Sequence, residues 1–410
     1  MYDSDYDEST PNIIIDNGTG YCKVGLSGEE YPRSVFPSCV GYPKYACQMV
    51  GGDKKEFFIG NDAIKKKGIL KLNYPIEHGV VNNWDDMEKI WGHVFTNELR
   101  VAPEEHNVLL TEAPLNPKEN REKMAQIMFE AFNVPGLYIH IQAVLSLYSA
   151  GKVTGIVLDS GDGVTHLVPV FERYSLEHAI IRLDIAGRDL TEYFTRLLYE
   201  VGFRFSTTSE KEIVKKIKEE SCYVALDFEE EAVEPYDYEL PDGNHILIKD
   251  QRIKCPEALF NPSLMGKEGC GIAELCNLSI QKCDIDLRKE LYYNILLSGG
   301  NASLKGLPKR LTKELKKYAP KSNTIRVLPS KNKNSITLEK ENDSEKETEI
   351  DSENDSGNKN EKAILNYNIK NAVWQGGEIA SRLFDDNNGW ITKQEYEESG
   401  ATIVHRKCFQ

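Results

Sequence analysis

Residues 13–26 read Ile-Ile-Ile-Asp-Asn-Gly-Thr-Gly-Tyr-Cys-Lys-Val-Gly-Leu, and residues 156–169 read Ile-Val-Leu-Asp-Ser-Gly-Asp-Gly-Val-Thr-His-Leu-Val-Pro. In register, Asp16 matches Asp159, Gly18 matches Gly161, Gly20 matches Gly163, and Lys23 falls opposite His166. Each copy is an apolar run of strand length, a carboxylate, a tight glycine turn and a second apolar-rich run, which is the signature of a β-hairpin. Two copies predict a duplicated α/β architecture in which two loops face each other. Glycines let the backbone approach an anion, and successive turn N–H groups form a nest for it. An Asp at a strand end repels phosphate but holds the cation that accompanies it, directly or through water. The pair reads as a clamp on a magnesium–nucleotide complex. One Asp-x-Gly-x-Gly turn alone would be an ordinary hairpin, and it is the repeat with its flanking runs that carries the reading. No Gly-x-x-x-x-Gly-Lys-Ser/Thr sequence occurs, so the P-loop solution is absent.

The 410 residues exceed the size at which one core keeps growing, and 40% hydrophobic content supplies more than one core. A net charge of −15 argues against nucleic acid or an anionic membrane as the main partner. The acidic start, Met-Tyr-Asp-Ser-Asp-Tyr-Asp-Glu, is unlike a signal peptide, and no apolar run has transmembrane length. Nine cysteines at irregular spacing fit reduced thiols of an intracellular protein. The gaps between Cys270, Cys276 and Cys283 fit no zinc pattern, so buried thiols are expected there.

Helices are expected at Asn116–Phe132, capped by Asn116 with Pro117 at its first position and Glu119 completing a capping box, and from Ser209, with Glu212 as partner and Ile213 and Ile217 on the buried side. From about Lys331 to about Asn366 the chain lacks aromatics in its core and is dominated by charge, Asn and Ser. Such a stretch buries too little apolar surface to offset the entropy of ordering it, and reads as a disordered surface insertion.

With the hairpins read, the chain resembles actin over nearly its whole length. The blocks that carry the likeness are Tyr-Pro-Ile-Glu-His-Gly at 74–79, Asn-Trp-Asp-Asp-Met-Glu-Lys-Ile-Trp at 83–91, Leu-Thr-Glu-Ala-Pro-Leu-Asn-Pro-Lys at 110–118 and Ile-Gln-Ala-Val-Leu-Ser-Leu-Tyr at 141–148. Ile-Ala-Gly-Arg-Asp-Leu-Thr at 185–191, Trp-Ile-Thr-Lys-Gln-Glu-Tyr at 390–396 and His-Arg-Lys-Cys-Phe at 405–409 extend it. The resemblance implies duplicated ribonuclease-H-like lobes in four subdomains around a central nucleotide cleft. The first subdomain would comprise 1–37, 75–149 and 372–410, the second 38–74, the third 150–185 and 268–371 with the insertion, and the fourth 186–267. It implies ATP or ADP with Mg2+ (or Ca2+) as cofactors and slow hydrolysis as the activity.

By the same likeness Gly18, Thr19 and Gly20 would meet the phosphates with Lys23 bridging them. Ser160, Gly161, Asp162 and Gly163 would close on them from the second hairpin, Asp162 also meeting the ribose. Asp16 and Asp159 would orient waters on the metal, and Gln142 and His166 would place the attacking water, with Asp159 counted in the catalytic set. Lys218 and Glu219 match adenosine contacts, Ser298, Gly299, Gly300 and Asn301 a third nucleotide loop, and Lys370 a lysine beside the base. Each of these would, taken singly, be read as a solvated or core residue.

The chain also departs from the family. Ser303 and Leu304 stand where a methionine and a tyrosine near adenine are usual. Between Trp374 and Trp390, Ala380, Arg382, Asp385, Asp386, Asn387 and Gly389 replace a largely apolar groove segment, and Arg173 replaces a small glycine nearby. Lys267 sits in a plug-like loop where an apolar residue is usual, the acidic stretch near Glu229–Tyr238 is shortened, and Gly52 replaces an apolar contact in the 44–55 loop. Burying Asp385 or Asp386 unpaired against a docking helix would be costly.

Three functions are therefore weighed: a filament-forming cytoskeletal ATPase, a nucleotide-binding subunit of a dynactin-like or chromatin-remodelling complex, and a metabolic kinase on the same fold, which the likeness outside the hairpins disfavours. Expected partners are ATP, further copies or other actin-family subunits, and actin-binding or complex-specific proteins, without direct nucleic-acid binding or membrane insertion. The expected location is cytoplasmic and cytoskeletal, with the nucleus as the alternative.

Overall fold

The computed structural model describes residues 10–44, 55–329, 358–386 and 388–408. Two large sheets are built on one plan. In the first, the strands run Ile391–Thr392, Gly136–Ile141, Val108–Glu112, Ile13–Asn17, Tyr21–Leu26, Ser34–Pro37. In the second they run Tyr174–Ser175, Thr165–Phe171, Gly155–Ser160, Ile295–Ser298, Val327–Pro329, with Ile181–Leu183 paired to Thr165–Phe171 off that path. Each sheet opens with an antiparallel hairpin, and each hairpin's first strand is parallel to a strand that is parallel to one more. Parallel strands are covered on both faces and need continuous apolar runs. Ile13–Ile15, Val108–Leu110, Ile156–Leu158 and Ile295–Leu297 supply them, all buried. The register places Asp16 opposite Lys23 and Asp159 opposite His166.

One core surrounds each sheet, and a third cluster including Ile141, Val144, Leu147, Val157 and Leu296 lies between them. A small sheet of Val40–Pro43, Phe58–Ile59 and Leu70–Asn73 has a core of its own, with Cys39, Phe58, Ala63 and Leu70.

The helix Gln142–Ser149 leaves the end of strand Gly136–Ile141 and leads directly into the second sheet. The helix Asn358–Asp386 crosses it so closely that a Cβ on Gly376 would overlap the Leu145 carbonyl oxygen, and one on Gly377 would lie 2.9 Å from Ile14 Cγ2. Trp374, fully buried, donates from Nε1 to the Ile14 carbonyl at 3.1 Å, and the Ser146 and Ser298 hydroxyls meet at 2.9 Å. Both sheets are thus fastened to one helix pair.

Three expectations need correction. Asn116 does not cap a helix: the helix starts at Lys118, and Asn116 donates to Glu112 at 3.0 Å and accepts from Asn120 at 3.2 Å. Glu112, paired with Arg121, holds the Asn116 NH2, and the Oδ1 that a cap would use instead accepts from Asn120. That helix also turns to π geometry over Ile127–Ala131. The second helix starts at Thr208 under a capping box of Thr207 and Glu210, two residues before the expected one, because this pair satisfies both orphan N–H groups reciprocally. Val214 and Ile217 are buried, with Ile213 half-buried. The charged insertion was expected to run to about Asn366, but helical backbone begins at Asn358. The remainder of that stretch, and most of the 44–55 loop with Gly52, lie outside the described residues.

Cys276 and Cys283 are buried thiols and Cys270 is half-exposed. Among the described residues no helix is long and apolar enough to cross a membrane.

Gly376→Ala should destabilise the protein by about 1–3 kcal/mol, because the added methyl has nowhere to go except into a backbone carbonyl. Chemical denaturation of the pure protein checks this, and an unchanged midpoint would mean the two helices slide apart freely.

Candidate functional site

Asp16 lies at the end of strand Ile13–Asn17 and is 1% exposed. Its Oδ2 pairs with Lys23 Nζ at 2.6 Å, while Oδ1 accepts from Thr111 Oγ1 at 2.8 Å and from Gln142 Nε2 at 3.2 Å. Gln142, the first residue of its helix, also donates to the Asn17 carbonyl at 3.3 Å. Lys23, Gln142 and Asp16 form one network at the foot of the first turn.

Asp159 holds the matching place in the second hairpin. Burial, then the Asp16 charge, push its carboxyl up to about 6, against the pull of Lys23 and a hydrogen bond from Ser298. The two carboxylates therefore feel each other, and Lys23, paired with Asp16, acts on both. A carboxylate pair short of positive charge is the electrostatic setting that a divalent cation relieves.

The turns themselves meet. A Cβ on Gly20 would lie 2.8 Å from Asp162 Cβ, and one on Gly163 would lie 2.6 Å from Thr19 Cγ2. Any side chain at either glycine would force the tips apart. The segment 78–79 touches both tips: the Gly79 N–H donates to Thr19 Oγ1 at 3.2 Å, and His78 Nδ1 bonds the Gly163 carbonyl at 2.7 Å. Ser38 braces the first turn by donating from Oγ to the Gly18 carbonyl at 2.7 Å.

The second turn is held from behind. Gly187 N–H donates to the Gly161 carbonyl at 2.9 Å, Arg188 reaches Asp162 Oδ2 at 3.3 Å, and Lys218 Nζ donates to the Gly187 carbonyl at 2.7 Å. Asn301 donates to Ser160 Oγ at 2.9 Å and to the Gly161 carbonyl at 3.0 Å. Gly299, at φ +89°, is pressed so closely on the Ser160 carbonyl that only glycine fits. Gly300 opens the short helix Gly300–Ser303.

His166 is 1% exposed, its Nε2 is buried without a partner, and burial followed by Arg182 pushes its pKa down to about 4. It is a neutral imidazole at pH 7.

The structure thus gathers Asp16, Gly18, Thr19, Gly20, Lys23 and Gln142 with Asp159–Gly163 and His166, and sets Lys218, Gly299 and Asn301 against the second turn. Glu219 and Lys370 are exposed at the surface, and helix Asn358–Asp386, which carries Lys370, packs on the Gly300–Ser303 turn. Thr111, Ser38, Arg188 and the His78–Gly79 pair were not singled out from the sequence, whereas Ser298 was, as the start of the third loop. Thr111, Arg188, His78 and Gly79 all sit inside the specific blocks, and that was their only signal.

Residues 7–337 and 349–409 match the family model for actin. The chain belongs to the actin family. The unmatched residues 338–348 fall in the charged stretch.

The departures from other actins are accommodated. Asp385 is not unpaired: it accepts from Trp390 Nε1 at 2.7 Å and from Asn12 Nδ2 at 2.5 Å. Arg382 pairs with Glu378 at 2.8 Å, and Ala380 is fully buried. Lys267 ties the plug-like loop down, donating to the Asp184 carbonyl at 2.6 Å and to Asp189 at 2.8 Å. Arg173 holds φ +77°, the region a glycine takes without strain.

Away from the hairpins, His140 is 5% exposed among Tyr138, Tyr148 and Phe384, and burial then Arg121 push it down to about 4. An unfolded chain takes up a proton on each of these histidines near pH 6.5, and the folded one only near 4. Stability present above pH 6.5 is therefore lost as pH falls through that window, roughly 3 kcal/mol per group. Asp159 acts oppositely, because the folded form holds its proton from about 6 downward. His140→Leu should flatten the acid limb of stability, read by denaturation between pH 7 and 4.5. An equally steep limb in the variant would show that His140 is protonated in the fold.

Proposed function

We propose that this actin-family protein binds ATP with Mg2+ between the two hairpin turns and hydrolyses it slowly, the nucleotide acting as a tie between two lobes. The observation that carries the reading is the meeting of the turns, Gly20 on Asp162 and Thr19 on Gly163, each turn leaving a strand whose end carries an Asp, Asp16 and Asp159. On this reading the lobes are the two halves built on the large sheets, divided into the four subdomains given above, and the space between them is the nucleotide cleft. Gly18, Thr19 and Gly20 with Gly161, Asp162 and Gly163 would offer backbone N–H groups to the phosphates, and Lys23 would add its charge.

Mg2+ fits the site because Asp16 and Asp159 lack a second positive charge. Among the described residues no three His, Cys, Asp or Glu side chains gather as a ligand set, so the carboxylates would hold the ion through water. When bound, Mg2+ would neutralise charge on the phosphate oxygens. Gln142, anchored to Asp16 and Asn17, holds its amide where a water can be oriented. His166, neutral with a free Nε2, accepts or relays a proton weakly, in keeping with slow turnover. Lys218, Glu219, Asn301 and Lys370 would surround the nucleoside.

A specific observation favours a second reading, a fixed subunit of a larger complex. Arg382–Glu378 and Asp385–Trp390 replace apolar groove surface with paired polar groups. A groove that binds helices draws affinity from a few buried apolar anchors. Sedimentation under conditions that polymerise actin separates the two: long stable filaments favour the cytoskeletal ATPase, and their absence the complex subunit.

ATP with Mg2+ should raise the thermal unfolding midpoint, since a ligand at a hundred times its Kd adds about 2.7 kcal/mol. Asp159→Asn removes the like-charge repulsion and should stabilise the ligand-free protein above pH 6 while shrinking the shift given by ATP and Mg2+. Gln142→Ala and His166→Ala should lower hydrolysis at least tenfold and leave ATP affinity within about threefold. A midpoint indifferent to ATP and Mg2+ removes the nucleotide reading. Equal turnover in both variants removes those two residues from the chemistry.

A further inference from the structure

Beside the first turn, strand Tyr21–Leu26 places the ring of Tyr21 outward, 39% exposed. Lys215, on the helix Thr208–Ser221, sets its Nζ 4.6 Å from the centre of that ring. The two residues belong to different halves. Tyr21 adjoins Gly20 on the first sheet, whereas Val214 and Ile217 bury the helix of Lys215 in the core around the second sheet. The same helix holds the second turn from behind through Lys218 and Gly187.

The charges around Lys215 fix it there. Burial favours loss of its proton, but Asp162, Tyr21, Glu212 and Glu219 outweigh burial and raise its pKa. Tyr21 is held above its ordinary range, chiefly by burial, and stays a neutral phenol with an intact ring face. A permanent ammonium over an aromatic face is attractive without needing a hydrogen bond, so the contact survives small sliding of one half on the other. The turns are less tolerant of side-chain bulk, since a Cβ at Gly20 or Gly163 would overlap the opposite turn.

We infer that the Tyr21–Lys215 contact is a latch between the two halves, which closes the side of the turns facing the Thr208–Ser221 helix and sets how fast a bound nucleotide leaves. The inference rests on the nucleotide site proposed above. Tyr21 is then a positioning residue: it touches no reacting atom and acts by holding the helix that carries Lys218 and Glu219 against the first hairpin.

The test is release of a fluorescent ATP analogue, chased with unlabelled ATP in the presence of Mg2+, from the full chain and three variants. Tyr21→Leu should release the analogue about two- to five-fold faster, the span expected from an exposed cation–π contact. Tyr21→Phe keeps the ring and should release at the wild-type rate, which also controls for folding. Lys215→Met should release faster too, and adding Tyr21→Leu to it should change nothing more, because one contact cannot be lost twice.

Wild-type release from Tyr21→Leu, a Phe variant as fast as Leu, or additive effects in the double variant would each overturn the latch while leaving the nucleotide site intact. If the wild type binds no analogue, the nucleotide reading fails, and amide hydrogen exchange of the ligand-free protein decides the latch alone. Faster exchange at 18–23 and 161–165 in Tyr21→Leu than in Tyr21→Phe supports it, and equal exchange overturns it.

Discussion

The crossing of two helices at Leu145 and Gly376 is the constraint from which the rest follows. One helix emerges from the first sheet and feeds the second, and the other lies on both, with Trp374 bonded to the backbone of strand Ile13–Asn17. Backbone meets backbone at this point, so the pair has almost no freedom to separate along the line between their axes. The strands Ile13–Asn17 and Gly155–Ser160, which end in the two turns, belong to the sheets fastened at this crossing, and at those ends the molecule places glycines and carboxylates.

Electrostatically the site is under-compensated. Lys23 satisfies Asp16 closely, and Thr111 and Gln142 complete that carboxylate's bonds. Asp159 is pushed up chiefly by burial and then by the Asp16 charge, with Lys23 and Ser298 pulling the other way. Strain of this kind is characteristic of sites whose missing charge arrives with a ligand. The same logic separates His166 from His140. Both are buried and neutral, but His166 stands in register with Asp159, whereas His140 sits among aromatic rings in the first core.

Much of this was legible in the chain because the repeat is local. Strand, turn and strand lie within fourteen residues, and the register that sets Asp16 against Lys23 and Asp159 against His166 follows from hairpin geometry alone. Helix starts were less legible. Asn116 and Ser209 both look like caps, and tertiary or neighbouring partners decided otherwise: Glu112 took the Asn116 amide, and Thr207 with Glu210 formed the better box. The long-range members of the site, Ser38 and the His78–Gly79 segment, come from strands and turns far apart in sequence, and no spacing rule links them. The polar groove segment shows the opposite limit. Read residue by residue, Asp385 looked unpaired, yet Asn12 and Trp390 supply its partners from 373 and 5 positions away.

The central claim is that the two turns and their paired carboxylates enclose one magnesium nucleotide. An experimental structure of the protein with a non-hydrolysable ATP analogue and Mg2+ tests it most directly. The account predicts phosphates between residues 18–20 and 161–163, with the metal's waters on Asp16 and Asp159. Phosphates bound elsewhere, or turns that remain in contact with nothing between them, would contradict it.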